Sequence, residues 1–190
     1  MRVHFHGKYE EDFTDQDGYY KVTDIPICYC MKEVCASKLG YKEEWVSLGI
    51  AEDTVYDFIL QPVPLSADTH QIPSAGGGVH FMLNAGAAHA GRSYALLGSV
   101  SGTSPGTPLP GGKVLPLNWD PLTAYTLVYA NTEPLTGFMG TLDGSGQAYA
   151  ELGLYSVSLV KYIGTKLYFA YTLYDPFDLV SNPVEVEIVE

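Results

Sequence analysis

The sequence predicts an all-β protein built of two tandem antiparallel β-sandwich modules with at most one short helix. Three observations lead there. The 190 residues include 15 Tyr and 20 Gly, a balance that favours strands and turns over helices. Apolar residues recur with period two in several short runs, the signature of half-buried strands. Finally, Leu60-Gln61-Pro62-Val63-Pro64-Leu65 sets two prolines one residue apart, where neither a central strand nor a helix interior continues. The texture changes there. All three cysteines and dense charge lie before it, and a Gly-, Ala-, Ser-, Thr- and Pro-rich chain with long apolar runs follows. The expected organisation is a module over residues 1–62, a stiff linker over 63–66 and a second module over 67–190.

Charge narrows the function classes. Residues before position 66 hold 12 acidic and 6 basic side chains, and the rest hold 10 and 4, so each half carries −6 of the total −12. No basic stripe exists, which disfavours nucleic acid and anionic membrane as partners. No apolar run approaches the roughly 20 residues of a membrane-spanning helix. The start, Met1-Arg2-Val3-His4-Phe5-His6-Gly7, lacks the apolar stretch of a signal peptide. No Asn-x-Ser/Thr sequon is present.

In the first module, Val3 and Phe5 alternate with His4 and His6 as a short strand, the two histidines reading as its solvated face. Asp15-Gln16-Asp17-Gly18 reads as a tight turn. A calcium loop needs a Glu at its twelfth position, which here is Pro26. Tyr20 and Val22 begin the next expected strand, Ile25-Pro26 ends it, Val34 and Ala36 open another, and Tyr56, Phe58 and Leu60 mark the last. Cys28, Cys30 and Cys35 are an odd set. Cys28 and Cys30 point the same way in a strand, so a disulfide would join Cys35 to one of them. Free thiols and a metal site are the alternatives, and zinc lacks a fourth ligand and the usual Cys-x-x-Cys pair.

Asp15-Gln16-Asp17-Gly18-Tyr19-Tyr20, Ile25-Pro26, Ala36-Ser37-Lys38-Leu39-Gly40-Tyr41 and Tyr56-Asp57-Phe58-Ile59-Leu60 resemble the carboxypeptidase regulatory-like domain. That resemblance covers residues 3 to 62 and implies a non-catalytic, transthyretin-like β-sandwich of extracellular or surface proteins. The family's opening strand has no counterpart before Val3, which implies a sandwich one strand short. The secreted setting also favours one oxidised pair among the three cysteines.

In the second module, residues 66–78 read as a loop ending in three glycines, without the Lys of a phosphate loop. Val79, Phe81 and Leu83 form a strand, Asn84 to Gly91 a turn, and Tyr94 to Val100 a strand buried on both faces. Gly102-Thr103-Ser104-Pro105-Gly106 matches the G-x-S-x-G of a nucleophile elbow. Pro105, however, has no N–H to give an oxyanion, and prolines and glycines follow where a helix is required. Asn118-Trp119-Asp120-Pro121 is a helix start, with Asp120 as cap and Pro121 at the first helical position. Trp119 is the candidate sugar-stacking residue. Asp143-Gly144 predicts a β-hairpin. Leu167, Phe169, Tyr171 and Leu173 share one face of a strand. Val184, Val186 and Ile188 alternate with glutamates in a terminal strand.

Leu97 to Gly106, Leu115 to Asp120, Gly140 to Gly146 and Val180 to Val184 resemble an uncharacterised β-rich domain found near the C-termini of secreted and surface proteins of planctomycetes and similar bacteria. It brings no catalytic residues. No paired carboxylates, catalytic triad or metal set stands out along the chain, so neither an enzyme nor a cofactor is expected. The expected function is structural or adhesive at the cell surface, as a filament subunit or a partner of other surface proteins. Assembly would proceed by strand addition, with Val184, Val186 and Ile188 as the candidate donor strand. The alternative is a carbohydrate-binding or accessory module of a secreted enzyme.

Overall fold

The computed structural model describes residues 1–5, 11–25, 31–155 and 158–190. The fold is all-β, and the chain divides into two compact units, Met1–Pro62 and Val63–Glu190.

The first unit contains β1 (Arg2–Phe5), β2 (Glu11–Phe13), β3 (Met31–Ser37) and β4 (Glu44–Gly49). They form one antiparallel sheet in the order β2-β1-β3-β4. The register sets Val3 against Ala36, Phe5 against Val34, and Val34 against Val46. One face of the sheet is therefore apolar, and Tyr20, Val22, Ile25, Phe58 and Leu60 pack on it. The opposite face aligns His4, Cys35 and Trp45 in one row. The His4 and Trp45 rings meet edge-on at 5.8 Å, and Cys35 between them is fully buried.

Two expected strands are not strands. Residues 19–25 and 54–60 alternate inward and outward but join no ladder among the described residues. Alternation specifies which face is buried, whereas a strand also needs a neighbour offering N–H and C=O groups in register. Conversely, β4 is a strand that the reading of the sequence passes over.

The second unit is a two-sheet sandwich. One sheet runs β11 (Leu135–Thr136), β13 (Gln147–Gly153), β7 (Gly78–Asn84), β5 (Leu65–Ala67). The other runs β12 (Met139–Thr141), β8 (Ser93–Ser99), β14 (Lys166–Leu173), β15 (Val184–Val189), β6 (Gln71–Pro73). All pairings are antiparallel except β15 with β6. Between the sheets lies a core centred on Phe81, Phe138 and Phe169, whose ring centroids stand 4.8–6.3 Å apart. On the other face of the larger sheet, Leu97, Leu115, Leu117 and Ala170 form a second cluster. Leu115 belongs to the short pair β9 (Thr107–Pro108) and β10 (Val114–Leu115). Because β8 is covered on both faces, it reads as a continuous apolar run.

Helix α1 (Pro121–Val128) starts as its sequence predicts, with Asp120 as cap and Pro121 at the first helical position. It completes an edge. The partner of β8 on that side, β12, reaches only residues 93–95. Beyond it, the Gly98 N–H donates to Thr126 Oγ1 at 3.0 Å.

Four expectations need correction. The stretch over 66–78 is not a plain loop, because β5 and β6 lie within it. β5 also begins inside the expected linker, with Leu65 1% exposed. Asn182 holds Leu65 by both backbone groups, accepting from its N–H at 3.0 Å and donating to its carbonyl at 2.9 Å. The turn at Asp143 is real but is not a hairpin. Its flanking strands β12 and β13 lie in different sheets, so it arches across the sandwich. Asp143 Oδ1 accepts from the Ser145 and Gln147 N–H groups, and the residue with positive φ is Gly146, not Gly144. A side chain at Gly146 would run into the Gly86 carbonyl.

The candidate donor strand is also not available for donation. β15 pairs with β14 on one side and β6 on the other, and Val184, Val186 and Ile188 are at most 5% exposed within the core. Sequential strands found neighbours within their own unit. Finally, Cys35 carries a free thiol. Cys28 and Cys30 lie outside the described residues, as does His6.

Candidate functional site

Among its described residues, the first unit has one hydrogen-bonded layer, the β2-β1-β3-β4 sheet. Over the apolar face of its sheet, the second layer consists of residues 19–25 and 54–60. Tyr20 and Val22 turn inward from the first segment, and Tyr56, Phe58 and Leu60 turn inward from the second. Tyr20 ties the two together, its hydroxyl donating to the Tyr56 carbonyl at 2.5 Å and its ring lying 6.3 Å from Phe58. Burial, with Asp57 and Tyr56 alongside, raises the Tyr20 hydroxyl above the ordinary tyrosine range. Between this layer and the sheet lies a groove of about 740 Å³, floored by Val3, Phe5, Val34 and Leu48. The outward side chains of 54–60 are unusually bare for aliphatics, with Val55 91% and Ile59 75% exposed.

The rim of the groove has one sign. Among the described residues, Asp24, Glu52, Asp53 and Asp57 line it together with one ammonium, that of Lys21. The groove therefore combines an apolar floor, a backbone segment outside any ladder, and a negative rim.

Other residues singled out by the sequence fall as follows. Asp15 makes the turn expected of it, its Oδ1 accepting from the Asp17 and Tyr19 N–H groups at 3.0 and 2.9 Å. Among the described residues, no group of three or more His, Cys, Asp or Glu is placed to hold a metal. His4 is not simply solvated, since it packs on Trp45. Burial, with Glu43 adding and Arg2 opposing, pushes the Cys35 thiol up to about 11, so its reactive thiolate is disfavoured. Ser104 lies in the loop between β8 and β9, and a strand follows it where an elbow requires a helix.

Trp119 is 56% exposed between two residues wholly committed to structure. Asn118 clamps the 101–106 loop, donating to the Ser101 carbonyl at 2.7 Å and accepting from the Gly106 N–H at 3.0 Å. Asp120 is the hub of this corner. One oxygen caps α1, taking the Leu122 and Thr123 N–H groups at 2.9 and 3.0 Å. The other accepts from the Ser99 and Ser101 hydroxyls and from the Val100 and Ser101 N–H groups, at 2.7–2.9 Å. Burial resists ionisation there, but the hydrogen bonds from Thr123, Ser101, Ser99 and Val100 outweigh it. They hold the Asp120 carboxyl well below the usual carboxylate range. The sequence shows the cap; the second half of the hub depends on β8 ending beside the helix start.

No protein-family model, curated protein or solved structure matches this chain.

Proposed function

We propose that this protein is a non-catalytic structural or adhesive component of the cell surface, whose first unit accepts a strand from a partner chain. The observation that carries this reading is the half-built second layer of that unit, with residues 54–60 outside any ladder above an apolar groove. A strand laid against that segment gains main-chain hydrogen bonds and sets alternate side chains beside the exposed Val55 and Ile59. The surface setting is supported by the resemblance of both halves to secreted and surface domains. The non-catalytic part is supported at the G-x-S-x-G stretch, where Pro105 has no N–H to serve as an oxyanion donor.

The acceptor's charge specifies its partner. A rim of four carboxylates and one ammonium favours an extended segment with apolar residues on one face and basic residues on the other. The C-terminal strand of a second copy is the wrong donor, since it is interior to its own sheet and carries glutamates. The test is binding of fluorescent peptides to the full chain, with valine alternating with lysine, valine alternating with glutamate, and a block-scrambled valine–lysine control. The alternating lysine peptide should bind most tightly and lose affinity with salt. Equal binding of the glutamate or scrambled peptide, or no binding of the lysine peptide, overturns the proposal.

A further inference from the structure

The second unit carries a separate arrangement on the outer face of the β11-β13-β7-β5 sheet. Antiparallel register sets Tyr149 opposite Met82, Glu151 opposite His80, and Gly153 opposite Gly78. Tyr155 follows β13 and folds its ring back over the glycine pair. A side chain at Gly78 would collide with that ring, and one at Gly153 would crowd it at 3.2 Å. Gly78 opens β7 and Gly153 closes β13, and a glycine in a strand often marks a site where something approaches the backbone closely. Here the sheet accommodates a tyrosine whose inner face rests on backbone while the residue stays 61% exposed. Tyr149, on the same face, is 62% exposed.

From Tyr155 a chain of polar groups runs across the strands. The Tyr155 hydroxyl donates to Glu151 Oε1 at 2.8 Å, which fixes the ring. His80 Nε2 stands 3.9 Å from the same oxygen. Asp68 holds His80 from the other side, accepting from its backbone N–H at 2.9 Å and meeting Nδ1 at 2.7 Å. With Nδ1–H directed at Asp68, Nε2 is the ring nitrogen left to accept a hydrogen bond.

We propose that this face binds a neutral polysaccharide, with Tyr149 and Tyr155 as stacking surfaces and Glu151, His80 and Asp68, in a row across the strands beside them, as the hydrogen-bonding groups. Pyranose rings present C–H faces that stack on aromatics and a hydroxyl periphery that both donates and accepts. Tyr149 and the Gly153 position lie four residues apart on one strand, roughly 13 Å, the span of a short oligosaccharide. A flat, exposed platform with polar groups alongside suits an extended chain of sugars better than an apolar side chain, which requires a desolvated pocket. Two carboxylates on the face disfavour acidic glycans. The fixed ring and the tethered imidazole lower the ordering cost of binding. These residues are distinct from Trp119, the platform that the sequence suggests.

The test is affinity electrophoresis of the full chain in gels containing xylan, mixed-linkage β-glucan or galactomannan, with polygalacturonate and hyaluronate as acidic counterparts, together with pull-down on cellulose and chitin. Retention by at least one neutral polysaccharide is expected. It should weaken about tenfold in Tyr155→Ala, the scale of one lost stacking contact, weaken in Tyr149→Ala, and persist in Trp119→Ala. Thermal unfolding checks each variant's fold. If Tyr155→Ala fails to fold, Tyr149→Ala and Glu151→Gln carry the test. No retention on any neutral polysaccharide, retention on acidic ones only, or retention insensitive to both tyrosines overturns the proposal.

Discussion

Replacing Asp120 with Asn separates two roles that the structure assigns to one carboxylate. As a helix cap, Asn is nearly equivalent to Asp, so a residue that only capped α1 would tolerate the change. Asp120 also accepts four hydrogen bonds from the end of β8 and the turn after it, two from hydroxyls and two from the backbone N–H groups of Val100 and Ser101. Hydroxyls can rotate, but the two N–H groups cannot, and an amide NH₂ in place of the second oxygen sets donors against donors. At a net 1 kcal/mol or more for each charge-assisted bond lost, Asp120→Asn should cost about 2 kcal/mol. In a unit of this size that lowers the melting temperature by roughly 6–10 °C.

The assay is urea and thermal unfolding in a Trp45→Phe background, which leaves Trp119 as the reporter beside the hub. The pH dependence has a definite sign. The folded carboxyl is held well below its unfolded value, so its stabilisation is present above the unfolded pKa of about 4 and is lost as pH falls below that. The difference between wild type and Asn should therefore shrink in acid. An Asn variant within about 0.5 kcal/mol of wild type at neutral pH refutes the hub and leaves only a cap.

Three further outcomes follow from the core. Deleting residues 183–190 should unfold the second unit rather than release a monomer. It removes Val184, Val186 and Ile188 from the core, at about 2–5 kcal/mol for each large buried side chain, against a typical total stability of about 5–15 kcal/mol. A cooperatively folded truncated chain, read by calorimetry, would contradict this. Tyr171 is fully buried and its hydroxyl has no hydrogen-bond partner among the described residues, so Tyr171→Phe should stabilise by about 1 kcal/mol in urea unfolding; a loss of that size would reveal a partner. Cys35 should react with a thiol reagent only on unfolding, and prompt labelling of Cys35 in the native protein, located by peptide mapping, would contradict its burial.

The sequence made much of the second unit legible, because four of its main strands carry their own pattern while β13 does not. The alternation of β7, β14 and β15 and the continuous apolar run of β8 are local, and so are the Asp120 cap and Pro121. Partner choice was not legible. Nothing local says that β12 and β13 lie in different sheets, so Asp143 resembles a hairpin. Nothing local says that β15 has a parallel neighbour in β6, which turns an apparent free edge into an interior strand. In the first unit the same limit acts in reverse, since Val55–Leu60 has the side-chain pattern of a strand without the ladder. The candidate sites diverged for a related reason. Trp119 is conspicuous as one of two tryptophans. The platform of Tyr149, Glu151, His80, Asp68 and Tyr155, by contrast, exists only once register has brought three strands and a glycine pair together.

The acceptor reading rests on a second layer in the first unit that is packed but outside any ladder. Amide hydrogen exchange of the free full-length chain tests this most directly. Backbone amides within 54–60 should exchange far faster than those of Val34–Ala36, which sit in β3 between two paired neighbours. Protection across 54–60 equal to that of β3 would mean that the layer is already hydrogen-bonded and has no strand to accept.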